Sequence, residues 1–193
     1  MAYFAAYVTV DESTLYIQGG TNVATSAIAY NQFYSLDLTQ SWNTSNPLWS
    51  EVTTAGPIPA RLKTGFHSIS FSQHSKTMMF WDMSNYPSYS VGLNLDTKIW
   101  EELPAPPPLS DPHNQIVCKA ATDPTTNRVY IPGCSSNGTS MLMYDPSLKS
   151  STALAMPSKG NDTIWSGYTF IWNDVRRRQP MENTAHKGTK EYQ

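Results

Sequence analysis

Charge is what this sequence has least of. Only 15% of its 193 residues are Asp, Glu, Lys or Arg, and they nearly cancel, to a net charge of -2. No basic stripe is available to neutralise a phosphate backbone, which excludes nucleic acid as a partner. Long apolar runs are missing too. The longest near the C-terminus, residues 164–172, is interrupted by Ser166 and Gly167 and falls far short of the roughly 20 residues that cross a bilayer as a helix. No membrane span is expected. The apolar start Met1-Ala2-Tyr3-Phe4-Ala5-Ala6-Tyr7-Val8 has no basic residues and runs straight into Thr9, Asp11 and Glu12, which suits a first strand better than a signal peptide.

Cysteine is nearly absent. Cys118 and Cys134 are too few for a disulfide framework or a four-ligand zinc site. They fall on the two arms of one expected hairpin around Asp123-Pro124-Thr125-Thr126-Asn127. Two buried thiols and one disulfide both stay open, since strand register decides between them. His67, His74, His113 and His186 are spaced like no metal motif. No catalytic residue, metal or cofactor is expected.

What is present argues for a folded chain of short strands. Hydrophobic residues make up 39% and aromatics 12%, enough to build a core. Ser, Thr, Asn, Pro, Tyr and Trp are plentiful where Lys and Glu are few, a balance that favours strands and turns over helices. An all-β fold is expected.

The clearest stretch is Leu15-Tyr16-Ile17-Gln18-Gly19-Gly20, an apolar strand stopped by two glycines, which reach φ > 0 without strain and turn the chain hard. Phe33-Tyr34-Ser35-Leu36-Asp37-Leu38 and then Trp49-Ser50-Glu51-Val52 follow, giving four strands with residues 3–10. A second unit opens on Arg61-Leu62-Lys63-Thr64-Gly65-Phe66-His67-Ser68. It continues through Lys76-Thr77-Met78-Met79-Phe80-Trp81, Val91-Gly92-Leu93-Asn94-Leu95-Asp96 and Ile99-Trp100-Glu101-Glu102-Leu103, with Asp82-Met83 where the first unit has its glycines. A third comprises residues 116–121, Arg128-Val129-Tyr130-Ile131-Pro132-Gly133-Cys134, residues 140–145 ending in Asp145, and a weak last strand at 152–155 without tryptophan. The glycine positions are about 63 and about 51 residues apart, a repeat longer than the WD40 unit. Thr163-Ile164-Trp165 begins a fourth unit, and residues 173–193, with Arg176-Arg177-Arg178, are a polar tail expected to be disordered.

The order Gly-Gly, Tyr-x-x-Asp, Trp resembles a kelch repeat, over about residues 2–172. The resemblance implies a kelch-type β-propeller segment of about three four-stranded antiparallel blades, at 2–55, 61–104 and 113–157, plus one strand of a fourth at 163–172. It implies structural roles for Gly19, Gly20, Asp37, Trp49, His67, Asp96, Trp100, Gly133 and Asp145, with both tryptophans buried between blades. Kelch propellers include galactose oxidase, a copper enzyme, but its ligand set cannot be placed on this chain. Three blades leave open edges, which implies a fragment, a truncated product, or arcs that self-associate. Residues 33–49 look like the first blade of fungal kelch proteins, which implies a cell-surface relative; the sequons at Asn43, Asn137 and Asn161 do not decide the compartment.

Propeller function normally lies on loops. The long loops here, residues 21–31, 53–63, 84–90 and 104–114, share one face. Tyr30, Tyr86 and Tyr89 would offer aromatic surface there to a protein or glycan, or merely cover blade edges. The expectation is a non-enzymatic scaffold for protein or glycan binding. The alternatives are a fragment of a copper enzyme, an intracellular kelch adaptor and a nonfunctional truncated product.

Overall fold

A computed structural model describes residues 2–3, 5–22, 31–60, 62, 67–82, 89–105, 116–117, 120–134 and 140–155. The fourth unit and the tail lie outside the described residues, among which the regular structure is all β. A short ribbon pairs β1 (Ala2–Tyr3) with β4 (Thr21–Asn22). The first main sheet runs in order through β2 (Ala6–Val10), β3 (Thr14–Gln18), β5 (Phe33–Asp37) and β6 (Trp49–Glu51). A second follows the same meander through β7 (Ser68–Ser72), β8 (Thr77–Asp82), β9 (Tyr89–Asn94) and β10 (Trp100–Glu102).

The third sheet holds β13 (Val129–Cys134), β14 (Ser140–Asp145) and β15 (Ser150–Ala155), and its first strand is split into β11 (Ile116–Val117) and β12 (Ala121–Thr122). One unbroken strand over 116–121 was expected. The register shows why it divides: Val117 faces Gly133 and Ala121 faces Tyr130, so the first strand carries one residue more than its partner, which is the definition of a bulge. Ile116 stands opposite Cys134; Cys118 lies outside the described residues.

Hydrophobic pattern explains how the sheets stack. Cross-strand register places Ile69, Phe80 and Val91 in one row and Phe71, Met78, Leu93 and Trp100 in the next, all on one face of the second sheet. Ser68, Trp81 and Ser90, then Ser70, Met79 and Gly92, fill the other face. The first face shares a core with Ala6, Val10 and Phe33 of the first sheet. The second packs Met79 and Trp81 against Val129, Ile131, Leu142 and Tyr144 of the third. The run Met78-Met79-Phe80-Trp81 is therefore buried on both sides, and a strand so placed loses the polar alternation of a one-sided strand.

Serines line the second interface for a reason. The small side chains of β7 leave room for the Trp81 ring, which lies 4.9 Å from Tyr144 centroid to centroid while its Nε1 donates to Ser70 Oγ at 2.8 Å. Two further bonds tie the sheets together: Ala120 N to Ser68 Oγ at 2.7 Å and Asn127 Nδ2 to Ser72 Oγ at 2.8 Å. Sequence inspection ended the opening of unit two at Ser68, yet Ser68-Ile69-Ser70-Phe71-Ser72 is itself the strand.

The same register exposes a difference between the two tryptophans. Trp100 follows Leu93 in its row and Trp49 follows Leu36, so they occupy equivalent positions. Trp100 faces the first sheet, partly buried, with its ring 5.2 Å from Phe80. Trp49 points from the opposite side of the first sheet, away from the second, and is 41% exposed. The expected burial of Trp49 is thus corrected: no described sheet lies on its face. Trp100→Ala is expected to cost about 3 kcal/mol and Trp49→Ala under about 1 kcal/mol, measured as the shift in urea midpoint at constant m-value. Equal shifts would contradict the stacking.

Candidate functional site

β3 and β8 finish at the same end of their sheets, at Gln18 and Asp82, and a buried polar group lies at that end. At the end of β3, Gly19 and Gly20 take φ of +72° and +106°, the left-handed region that suits glycine. Gly19 N donates to Gln32 O at 2.9 Å, holding the turn against the start of β5. Beside it lies His67, the residue just before β7. A Cβ added to Gly19 would come within 3.2 Å of His67 Cε1, so the glycine makes room for the imidazole as well as for the turn.

His67 is 5% exposed, between Gly19 and Phe80, whose ring centroid is 5.9 Å away. Both ring nitrogens lack a hydrogen-bond partner among the described residues, a costly arrangement for a polar group. Desolvation pulls its pKa down to about 4, against the upward pull of the nearby Asp82 carboxylate. Neutral His67 is thus a packing group, shielded from solvent. Gln18 and Asp82 are buried at the same end, and Tyr89 faces Asp82 across the ladder, half-buried against the first core. Tyr30 and Tyr86 lie outside the described residues.

The expected aspartates sit at the opposite, tight-turn end. Asp37 closes the β5 turn by accepting from Thr39 N at 2.8 Å, Thr39 Oγ1 at 2.6 Å and Gln40 Nε2 at 2.7 Å, bonds that lower its pKa. Asp145 accepts from Ser147 N and Oγ at 3.0 and 2.5 Å and from Arg128 Nε at 3.1 Å; its pKa is lowered too, chiefly by Ser147. In the second sheet the same position belongs to Asn94, whose Oδ1 accepts from Asp96 N at 3.0 Å and Thr97 N at 2.9 Å. The role expected of Asp96 is thereby corrected, because an asparagine carbonyl closes an Asx turn as an aspartate does. Gly133 stays in β13, opposite Val117.

Two clefts at this end were not legible in the sequence. One, of about 400 Å³, is lined by the first strands of all three sheets through Val8, Ser70, Phe71 and Thr122, with Asp11 and Glu12 beside them. The other, of about 440 Å³, lies between Gln73, His74, Thr126, Asp145 and Ser147. Each is assembled from turns far apart in sequence, which leave no local motif. Among the described residues, no group of three or more His, Cys, Asp or Glu is placed to hold a metal, and no helix is long and apolar enough to cross a membrane.

No protein-family model matches the chain, and no curated protein does. Among solved structures it resembles a Phanerochaete chrysosporium exo-β-1,3-galactanase variant with β-1,3-galactotriose, at 16% identity and a TM-score of 0.45. The alignment covers 80% of this chain and 39% of the galactanase chain, so the sequence spans about two fifths of that protein. The expectation that the chain is not an enzyme is corrected at this point: the solved structure it resembles is that of an enzyme.

Two outcomes test the buried end. Native His67 titrates below the unfolded value of 6.5, so the unfolded chain takes up a proton first as pH falls. Stability should be whole above pH 6.5 and decline between there and about 4, by on the order of 3 kcal/mol. That window lies above the one in which Asp37, Asp123 and Asp145 protonate, since all three have lowered values. Urea midpoints measured from pH 7.5 to 4 should flatten in His67→Phe; an unchanged slope would remove His67 as the cause. Gly19→Val, strained at φ +72° and crowding His67, should lose about 2 kcal/mol, read as a lower melting temperature than that of Gly56→Val, which meets nothing within 4 Å.

Proposed function

We propose that the chain is a segment of a kelch-type β-propeller whose long-loop end binds a protein or a glycan. In this proposal residues 1–172 make up the kelch domain, with blades at about 2–55, 61–104 and 113–157 and part of a fourth at 163–172, followed by the polar tail 173–193. The observation that carries it is the stacking of three successive antiparallel meanders face to face, in chain order. Paired glycines at positive φ that meet the histidine opening the next unit support it. So do the Asx turns that close the third strand of each unit.

Binding is assigned to this end because the connections of residues 19–32, 52–67, 83–88 and 103–115 belong to it, Tyr30 and Tyr86 fall within them, and Tyr89 begins β9 beside them. Tyrosine supplies broad apolar contact with a polar tip, as both glycan rings and protein partners require. The test is a glycan microarray and a peptide array probed with the fluorescently labelled chain. Retention is expected on one of them, lost in a Tyr30→Ala, Tyr86→Ala double variant whose far-UV circular dichroism is unchanged. Retention undiminished in that variant would move the site away from these loops, and no retention on either array would overturn the proposal.

A further inference from the structure

The first sheet carries, on the side away from the second, the counterpart of a buried face. Its rows are Thr9, Leu15, Leu36 and Trp49, then Tyr7, Ile17, Tyr34 and Glu51. They match in register the second-sheet rows that end in Trp100 and Glu102, which form the interface with the first sheet. No described sheet covers the rows of the first sheet. Leu36 is 5% exposed within its own sheet, while Tyr34 at 37% and Trp49 at 41% stand open, and Leu48 beside them is more exposed still. Glu51 at the rim is the single charge in the two rows.

The chain also carries a face of the kind that covers such rows. Each inter-sheet contact inside the molecule joins a row-bearing face of one sheet to the opposite face of the sheet before it. On the third sheet that opposite face holds Tyr130, Met143 and Thr152, then Met141 and Leu154, and it is largely apolar. Met141, Met143 and Leu154 are half-buried and Thr152 is exposed.

We infer that the outer face of the first sheet is a docking surface for the outer face of the third sheet of a second copy of this chain. Copies then stack head to tail, continuing the order in which the three sheets already stack. The choice of occupant follows from that continuity: the contact would repeat an interface type the chain builds twice. It rests on the stacking order and not on the ligand proposed above. Such a contact uses two different patches, so it closes into a ring where the rotation permits and otherwise extends. It is a contact between sheet faces, distinct from edge-to-edge pairing of open strands.

Light scattering after size exclusion tests it with the intact chain. The parent is expected to run at twice 21.5 kDa or above, rising with concentration. Tyr34→Lys places a charge in one face and Thr152→Lys in the other, each at a position open to solvent in the single chain. Either variant alone should fall to 21.5 kDa with circular dichroism unchanged. An equimolar mixture of the two should regain a two-chain species, because each partner keeps one intact face. A parent that stays at 21.5 kDa at its highest soluble concentration overturns the inference. So does association that survives both substitutions, which would place the contact at strand edges or elsewhere.

Discussion

Everything in this molecule depends on a sheet that is wet on neither side. β8 gives Met78 and Phe80 to one core and Met79 and Trp81 to the other, all fully or almost fully buried. The first and third sheets each secure one apolar face against this middle layer. Dispersion and apolar burial dominate the arrangement. Among the described residues, the ion pair that links the second sheet to the third, Lys149 with Glu101, has both side chains more than half exposed, where such pairs contribute little. Polar groups enter the interfaces mainly to satisfy what the large side chains bring with them, as Ser70 does for the Trp81 indole.

The first interface contains an expensive element in His67. Its nitrogens have no partner among the described residues, and a side chain at position 19 would crowd the ring. Two positions about fifty residues apart in sequence thereby constrain each other's size. The geometry also separates the two ends of the sheets. One end holds a buried imidazole; the other holds carboxylates that close tight Asx turns, Asp37 exposed and Asp145 buried, with clefts between the turns.

Much of the fold was legible because its signals are local. Gly19-Gly20, the alternation in Phe33-Tyr34-Ser35-Leu36-Asp37 and the apolar run of β8 each mark a strand or its end within a few residues. What escaped was set by neighbours distant in the chain. Trp49 and Trp100 look the same in sequence, and only the presence or absence of an adjoining sheet separates their burial. Asp96 looked like the equivalent of Asp37 and Asp145, but two residues earlier Asn94 offers the same acceptor. The bulge in the third sheet depends on a count across two strands, and the clefts depend on turns from separate sheets. The non-enzymatic expectation had no residue behind it beyond the lack of a motif, and a lack of motif says little about sites assembled across a fold.

The unequal settings of the tryptophans have an optical consequence. Trp81 sits in a dry interface with its N–H bonded, whereas Trp49 stands in solvent on a sheet face of its own. An indole in water emits at longer wavelength than one in an apolar interior, so these two report separate events. With Trp42, Trp100, Trp165 and Trp172 replaced by phenylalanine, loss of the blue component follows the parting of the second and third sheets, while a blue shift of the red component follows anything that settles on the first. Trp81 and Trp49 are thus a pair of fluorescent gauges, one for cohesion and one for contact, once the other four tryptophans are silenced.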